Sequence, residues 1–183
     1  MKKALFLIVT AACIGSAQAP SAAVATEWDI TKTLDALSAQ AKRVKPILDQ
    51  LTPQQWVSRG APQAYVSQQR EAQDELGYLV NATSALEKQP DRLTLALDAY
   101  FRMQALETSL NSLVDGVRKY QNPAVGDLLM GVLGENSSNR DKLRQYITDL
   151  AANKEQEFQI ADKEAQRCRG MLNRQTPAAP RKN

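Results

Sequence analysis

Chemistry in this 183-residue chain has to come from cysteines, carboxylates and basic side chains, because the sequence contains no histidine. Histidine is the commonest general base and the commonest transition-metal ligand in proteins. Its absence excludes Ser-His-Asp and Cys-His catalytic sites, histidine-zinc sites and CxxCH haem attachment. We therefore expect no cofactor, no metal and no enzymatic activity.

The sequence leaves two structural roles open for Cys168. This residue belongs to an apolar series with helical spacing, which consists of Ala161, Ala165, Cys168 and Leu172. That spacing favours a small residue buried in a helical core. The alternative is an intermolecular disulfide, because the other cysteine, Cys13, lies in a segment that we expect to be removed.

Glu71 and Glu75 lie four residues apart on one predicted helix face, with Asp74 beside them. They could help to hold a hard cation if another helix supplied further oxygens. Like charges on a solvated helix face are far commoner, so the sequence predicts no metal site at these positions.

The N-terminus has the layout of a secretory signal peptide. Lys2 and Lys3 precede an uncharged apolar run, residues 4–19, that ends in small residues. The run is shorter than the roughly 20 residues that favour a membrane-spanning helix. We expect cleavage after Ala19 or after Ala25, a signal peptide with a short linker over residues 1–25, and export to the periplasm or the medium.

Charge is unevenly distributed along the remaining chain. Residues 20–164 carry 16 basic and 20 acidic side chains, a net charge of 16 − 20 = −4, whereas residues 165–183 carry five basic and no acidic ones. An acidic body argues against a nucleic-acid-binding domain, which would present a basic face. The predicted mature chain has no candidate membrane span, and its partner and oligomeric state stay open.

The apolar spacing is helical throughout and predicts an all-α protein. Long helices are expected over residues 26–51, 62–88, 91–121 and 138–172, with Thr26 as the first N-cap and a bend at Pro46. The first helix carries a heptad-like stripe of Ile30, Leu34, Leu37, Ala41, Val44, Leu48 and Leu51. Four such stripes predict an up-down four-helix bundle over residues 26–172, followed by a disordered basic tail over 173–183.

Two of the predicted connections contain a short helix of their own. The first begins at Pro53 and ends near Gly60, and the second runs from Pro123 until Gly134 stops it. In an up-down bundle the first and third connections lie at the same pole. Trp56 and Met130 are therefore expected in one end region, as a candidate interaction surface or as residues that close the core, while Cys168 is expected at the opposite pole.

Leu51-Thr52-Pro53-Gln54-Gln55 reads as a helix start, with Thr52 as N-cap, Pro53 at the first position and Gln55 completing a capping box. These five residues also resemble the LTxxQ motif of small periplasmic helical stress chaperones. The leading functional prediction is an exported, non-enzymatic helical bundle that acts through protein–protein contact. The resemblance implies the alternative, a periplasmic chaperone-like or apolar-ligand-binding helical protein.

Overall fold

The computed structural model describes residues 23–175, with side chains from Ile30 to Arg174. The elements are α1 (Ala23–Asp49), α2 (Pro53–Ser58), α3 (Ala64–Lys88), α4 (Leu93–Tyr120) and α5 (Pro123–Gln175). This part of the chain contains no strand, so the all-α prediction is confirmed. Residues 1–22 of the predicted signal peptide and linker and residues 176–183 of the predicted tail lie outside the described range. Residues 23–25 belong to α1, and residues 173–175, which were predicted to be disordered, belong to α5.

Two pairs of long helices run in opposite directions. Tyr65 near the start of α3 lies against Gly116 near the end of α4. The next pair, α4 and α5, is joined by Arg118–Asp127 and by Arg140–Glu107, each with an N–O distance of 2.8 Å. Both pairs of helices are therefore antiparallel, and α1 packs against α3 and α5.

The predicted stripe of α1 is confirmed, because all seven of its residues are buried. Pro46 lies inside α1, and the helix is bent. The predicted helix start is wrong: α1 already begins at Ala23, so Thr26 lies within the helix and does not cap it. Two polar residues of α1, Thr33 and Gln40, are also buried. Gln40 donates its side-chain amide to the carbonyl oxygen of Val132 in α5 at 2.6 Å.

The buried face of α3 includes Ala72, Leu76, Leu79, Thr83 and Leu86. Val80, which follows Leu79, lies off this face and is 40% exposed. Gln69 is polar but packs at the helix interface, where its amide donates to the carbonyl oxygens of Leu48 at 2.8 Å and of Leu51 at 3.0 Å. Gln69 therefore donates hydrogen bonds to carbonyl oxygens at the C-terminal end of α1, where the carbonyl groups have no partner within the helix.

The largest difference from the sequence prediction is the continuity of α5. The expected short helix after Pro123 and the expected long helix after residue 138 form one helix, Pro123–Gln175, with Gly134 inside it. A glycine ends a helix by adopting a positive φ, which Gly60 has (92°) and Gly134 does not. Burial of the apolar side chains of Leu129 and Val132 before it and of Leu143 after it outweighs the roughly 1 kcal/mol that a glycine costs within a helix.

Candidate interaction site

The first connection and the turn between α4 and α5 meet at one end of the protein through Gln121. Its side-chain oxygen accepts hydrogen bonds from the Trp56 indole N–H at 3.2 Å and from the backbone N–H of Thr52 at 3.1 Å. Its side-chain amide donates to the carbonyl oxygen of Gln50 at 3.1 Å. One glutamine thus fixes the entry into α2, and no spacing or motif in the sequence distinguishes it from its neighbours.

Trp56 lies in the core at this end. Its side chain is 1% exposed, and its ring packs edge-on against Tyr65 with a centroid distance of 5.7 Å. Tyr65 in turn lies 6.2 Å from Tyr120. The indole is therefore not accessible at the surface in this conformation. The expected capping bond at Thr52 is also absent, since its side chain makes no cap hydrogen bond to α2.

Met130 offers an accessible side chain near the same end, with 41% of its surface exposed. In the same stretch Leu128 is 59% exposed, whereas Leu129 and Val132 are buried. The helix turns the side chain of Leu128 away from the core because α5 buries residues 129, 132 and 136. The interaction surface of Trp56 and Met130 stays a prediction, with Met130 as its accessible member.

A groove of about 410 Å³ lies between α1 and α3. Its apolar lining includes Ala41, Leu48, Leu76 and Val80, and Gly77 adds no side chain to fill it. Charged residues stand at its rim, where Lys45 Nζ lies 2.7 Å from Asp49 Oδ2. The hydrogen bond from Lys45 lowers the pKa of the Asp49 carboxyl below its ordinary value, and a second hydrogen bond from Gln73 acts in the same direction.

The predicted carboxylate cluster is divided between two environments. Glu71 and Asp74 are exposed, while Glu75 is half-buried and faces Arg102 with an N–O distance of 3.5 Å. Arg102 also pairs with Asp98 at 3.4 Å. Within residues 23–175 no group of three or more histidine, cysteine, aspartate or glutamate side chains is arranged to hold a metal ion.

The last part of α5, residues 155–174, extends beyond the core, and we refer to it as the distal segment. Every side chain in it is exposed. Its large apolar members are Phe158 (73% exposed), Ile160 (50%), Met171 (51%) and Leu172 (64%). The expectation that Ala161, Ala165 and Cys168 continue the buried core is therefore wrong.

Cys168 is an exposed free thiol on this segment. The apolar spacing that favoured its burial is present, but the helices that bury residues 129–150 of α5 do not cover residues 155–174. Burial needs a partner surface as well as a periodic sequence. The alternative of an intermolecular disulfide at Cys168 stays open.

No helix in the described part of the chain is both long enough and apolar enough to cross a membrane. No known protein family matches this sequence, and comparison with curated proteins and with solved structures also gives no match.

Proposed function

We propose that this chain is an exported, non-enzymatic helical-bundle protein that acts through protein–protein contact. The observation that supports this function best is the distal segment, a helix of about 30 Å whose apolar side chains are exposed. Phe158 alone exposes 73% of its surface. An exposed apolar face on a helix is the feature by which amphipathic helices bind another protein surface.

The finer architecture belongs to the same proposal. The antiparallel contacts of α3 with α4 and of α4 with α5 support an up-down arrangement of four long helices, with α2 as a short extra helix in the first connection. Such a bundle is a rigid base from which the distal segment projects. Residues after Gln175 form the disordered tail in this proposal.

Site-specific photo-crosslinking in living cells tests the contact function. A photoreactive phenylalanine analogue replaces Phe158 on the apolar stripe, and a matched control replaces Gln156 on the opposite side of the same helix. We expect a protein adduct at position 158 and at most a trace at position 156. Equal labelling at both positions, or no adduct at either, would contradict a specific contact through this face.

Export is tested separately by cell fractionation with N-terminal sequencing of the isolated protein. The Lys2-Lys3 start followed by residues 4–19 supports removal of this segment after Ala19 or Ala25. We expect the isolated protein to begin at Pro20 or Thr26 in the periplasm or the medium. An intact chain that keeps Lys2 and Lys3 in the cytoplasm would refute export.

The groove between α1 and α3 favours a second candidate, an apolar-ligand-binding or chaperone-like helical protein. Its volume of about 410 Å³ lies within the range of about 300–1,000 Å³ that is usual for small-molecule sites. Lys42 and Lys45 at its rim would suit a ligand with an acidic group beside an apolar body.

A fluorescent apolar probe distinguishes this second candidate. A Gly77→Leu variant places a side chain into the groove, where no atom lies within 4 Å of a Cβ at position 77. The control is Gly131→Leu, since position 131 is equally open and does not line the groove. Saturable probe binding that only Gly77→Leu abolishes would support the ligand function, and equal binding by both variants would exclude the groove.

A further inference from the structure

We infer that the partner of the distal segment is a second copy of this chain, bound in antiparallel orientation. This inference rests on the proposed function, because it identifies the partner of the same surface. The observations that carry it are the charge distribution along the segment and the side of α5 on which its apolar stripe lies.

The two halves of the distal segment carry opposite charge. The ten residues 155–164 contain one lysine and four carboxylates, a net charge of 1 − 4 = −3. The next ten residues, 165–174, contain three arginines and no carboxylate, a net charge of +3. Every one of these side chains is exposed.

This distribution is complementary to itself in only one orientation. In an antiparallel pair the acidic half of each copy lies against the basic half of the other, so both halves attract. In a parallel pair each half would lie against a half of the same sign. Complementary potentials of this kind favour one orientation and suppress the other.

The apolar stripe of the distal segment supplies the contact surface between the two copies. Phe158, Ala161, Ala165, Cys168 and Leu172 follow one another in alternating steps of three and four residues. This is the spacing of the core positions in a two-stranded coiled coil. Phe158 provides the largest apolar surface of the stripe. In an antiparallel pair, the C-terminal end of the partner's distal segment lies beside it.

Steric considerations also favour the antiparallel orientation. Cys168 follows Leu150 by 168 − 150 = 18 residues, about five helical turns, so both lie on the same side of α5. Leu150 is buried, and therefore this side faces the rest of the bundle. A parallel copy on the stripe would bring its own bundle into that occupied space, whereas an antiparallel copy has its bundle beyond the far end of the segment.

The oligomeric state of the chain from Pro20 to Asn183 provides the first test. Sedimentation equilibrium should give a concentration-dependent dimer that weakens as the salt concentration rises. Phe158→Ser should raise the dissociation constant at least about tenfold, whereas Gln156→Ser on the opposite side should leave it unchanged. A monomer at all concentrations, or equal effects of the two variants, would overturn the inference.

Charge reversal tests the pairing of the two halves. One variant carries Arg167→Glu, Arg169→Glu and Arg174→Glu, and the other carries Glu157→Lys, Asp162→Lys and Glu164→Lys. Each variant alone should be monomeric where the parent chain is dimeric, and an equal mixture of the two should dimerise. Failure of the mixture to associate, with both variants folded by circular dichroism, would contradict electrostatic pairing.

Crosslinking of single cysteines decides the orientation. In a Cys168→Ser background, Glu157→Cys and Met171→Cys place thiols on the same flank of the stripe, near opposite ends of the segment. A short bis-maleimide should link the two variants only when they are mixed, because an antiparallel pair brings position 157 of one copy beside position 171 of the other. Crosslinked dimers of either variant alone would indicate parallel pairing and overturn the inference.

The outcomes also separate this inference from the proposed function. A monomeric chain whose photoreactive position 158 labels a different protein in cells would overturn self-association and retain contact function. The chain could also be monomeric, with the photoreactive group at position 158 crosslinking to residues 1–19 of the same chain. That result would assign the surface to the chain's own N-terminus and overturn self-association. No labelling at position 158 would overturn both.

Discussion

The ring of Tyr65 on α3 occupies the space that a side chain at Gly116 on α4 would need. A Cβ at position 116 would lie 2.6 Å from Tyr65 Cε1 and 2.9 Å from Cζ. The ring cannot retreat freely, because it packs edge-on between Trp56 and Tyr120. Glycine at position 116 thus allows α3 and α4 to approach at the end where Gln121 joins the connections.

Gly116→Ala should therefore destabilise the protein although alanine is the better helix former. We expect a loss of about 1–3 kcal/mol in the free energy of unfolding, as for overpacking in a core. Urea unfolding followed by circular dichroism measures it. Gly77→Ala is the matched control on α3, with no atom within 4 Å of the new Cβ, and should stabilise by up to about 1 kcal/mol. The same sign for both variants would contradict close packing at Gly116.

The backbone conformations of two other glycines predict opposite effects of alanine substitution on stability. Gly134 lies inside α5 in open space, so Gly134→Ala should stabilise the protein by about 0.5–1 kcal/mol. Gly60 has a φ of 92°, which strains any L side chain, so Gly60→Ala should destabilise by a similar amount. Denaturant unfolding measures both, and a destabilising Gly134→Ala would indicate a helix end at residue 134.

The stripe of α1 contributes to the common core. Leu37 is 1% exposed, so Leu37→Ala should lower the free energy of unfolding by about 2–5 kcal/mol. Asp35→Ala in the same turn but on the exposed face is the control and should change it by at most about 0.5 kcal/mol. A loss at Leu37 no larger than that of the control would place the stripe in solvent.

Substitutions of Trp56 and of Met130 should have separate effects on stability and on partner binding. Trp56→Ser removes a buried ring and leaves the Gln121 oxygen with one donor fewer, so we expect a loss of about 3–5 kcal/mol. Met130→Ser at a 41% exposed position should change stability by about 0.5 kcal/mol or less. Thermal melts measure both, and a weaker partner interaction in folded Met130→Ser would assign this surface to binding.

Asp49 provides a prediction for pH dependence. Its pKa is lowered mainly by the hydrogen bond from Lys45, so Lys45→Ala should raise it towards its ordinary value. Because the folded-state pKa lies below the unfolded one, the associated stabilisation is present above the ordinary aspartate pKa and is lost as the pH falls through the folded value. An NMR titration of Asp49 measures the shift, and Gln73→Ala should produce a smaller rise in the same direction. An unchanged pKa in Lys45→Ala would refute the assignment.

Local sequence patterns were sufficient to predict several parts of the fold. The seven-residue stripe of α1 is buried as predicted. Steps of three and four residues place its members on one helix face, and α3 and α5 pack against α1. Helix punctuation was reliable at Gly60, where a glycine with positive φ follows α2. The same rule failed at Gly134, because burial of apolar residues on both sides of it, Val132 and Leu143, outweighs the cost of glycine within a helix.

The candidate site was less predictable because its members are joined by contacts between distant residues. Gln121 has no sequence signal, yet it bonds Trp56 and Thr52 across 65 and 69 positions of the chain. Trp56 and Met130 have similar apolar character in the sequence, but one is buried and the other is accessible. Whether an apolar side chain near a helix end is covered depends on how the connections fold over it.

The sequence by itself determined that residues 138–172 of α5 are helical and which of them lie on the apolar side, from Leu143 to Leu172. Only the tertiary structure decided where along that side burial ends. The hydroxyl of Tyr146 donates to the carbonyl oxygen of Pro90, so the turn between α3 and α4 lies at that level of α5. Beyond Lys154 the spacing continues while every side chain is exposed, because periodicity depends on the helix alone and burial depends on whether another surface is present.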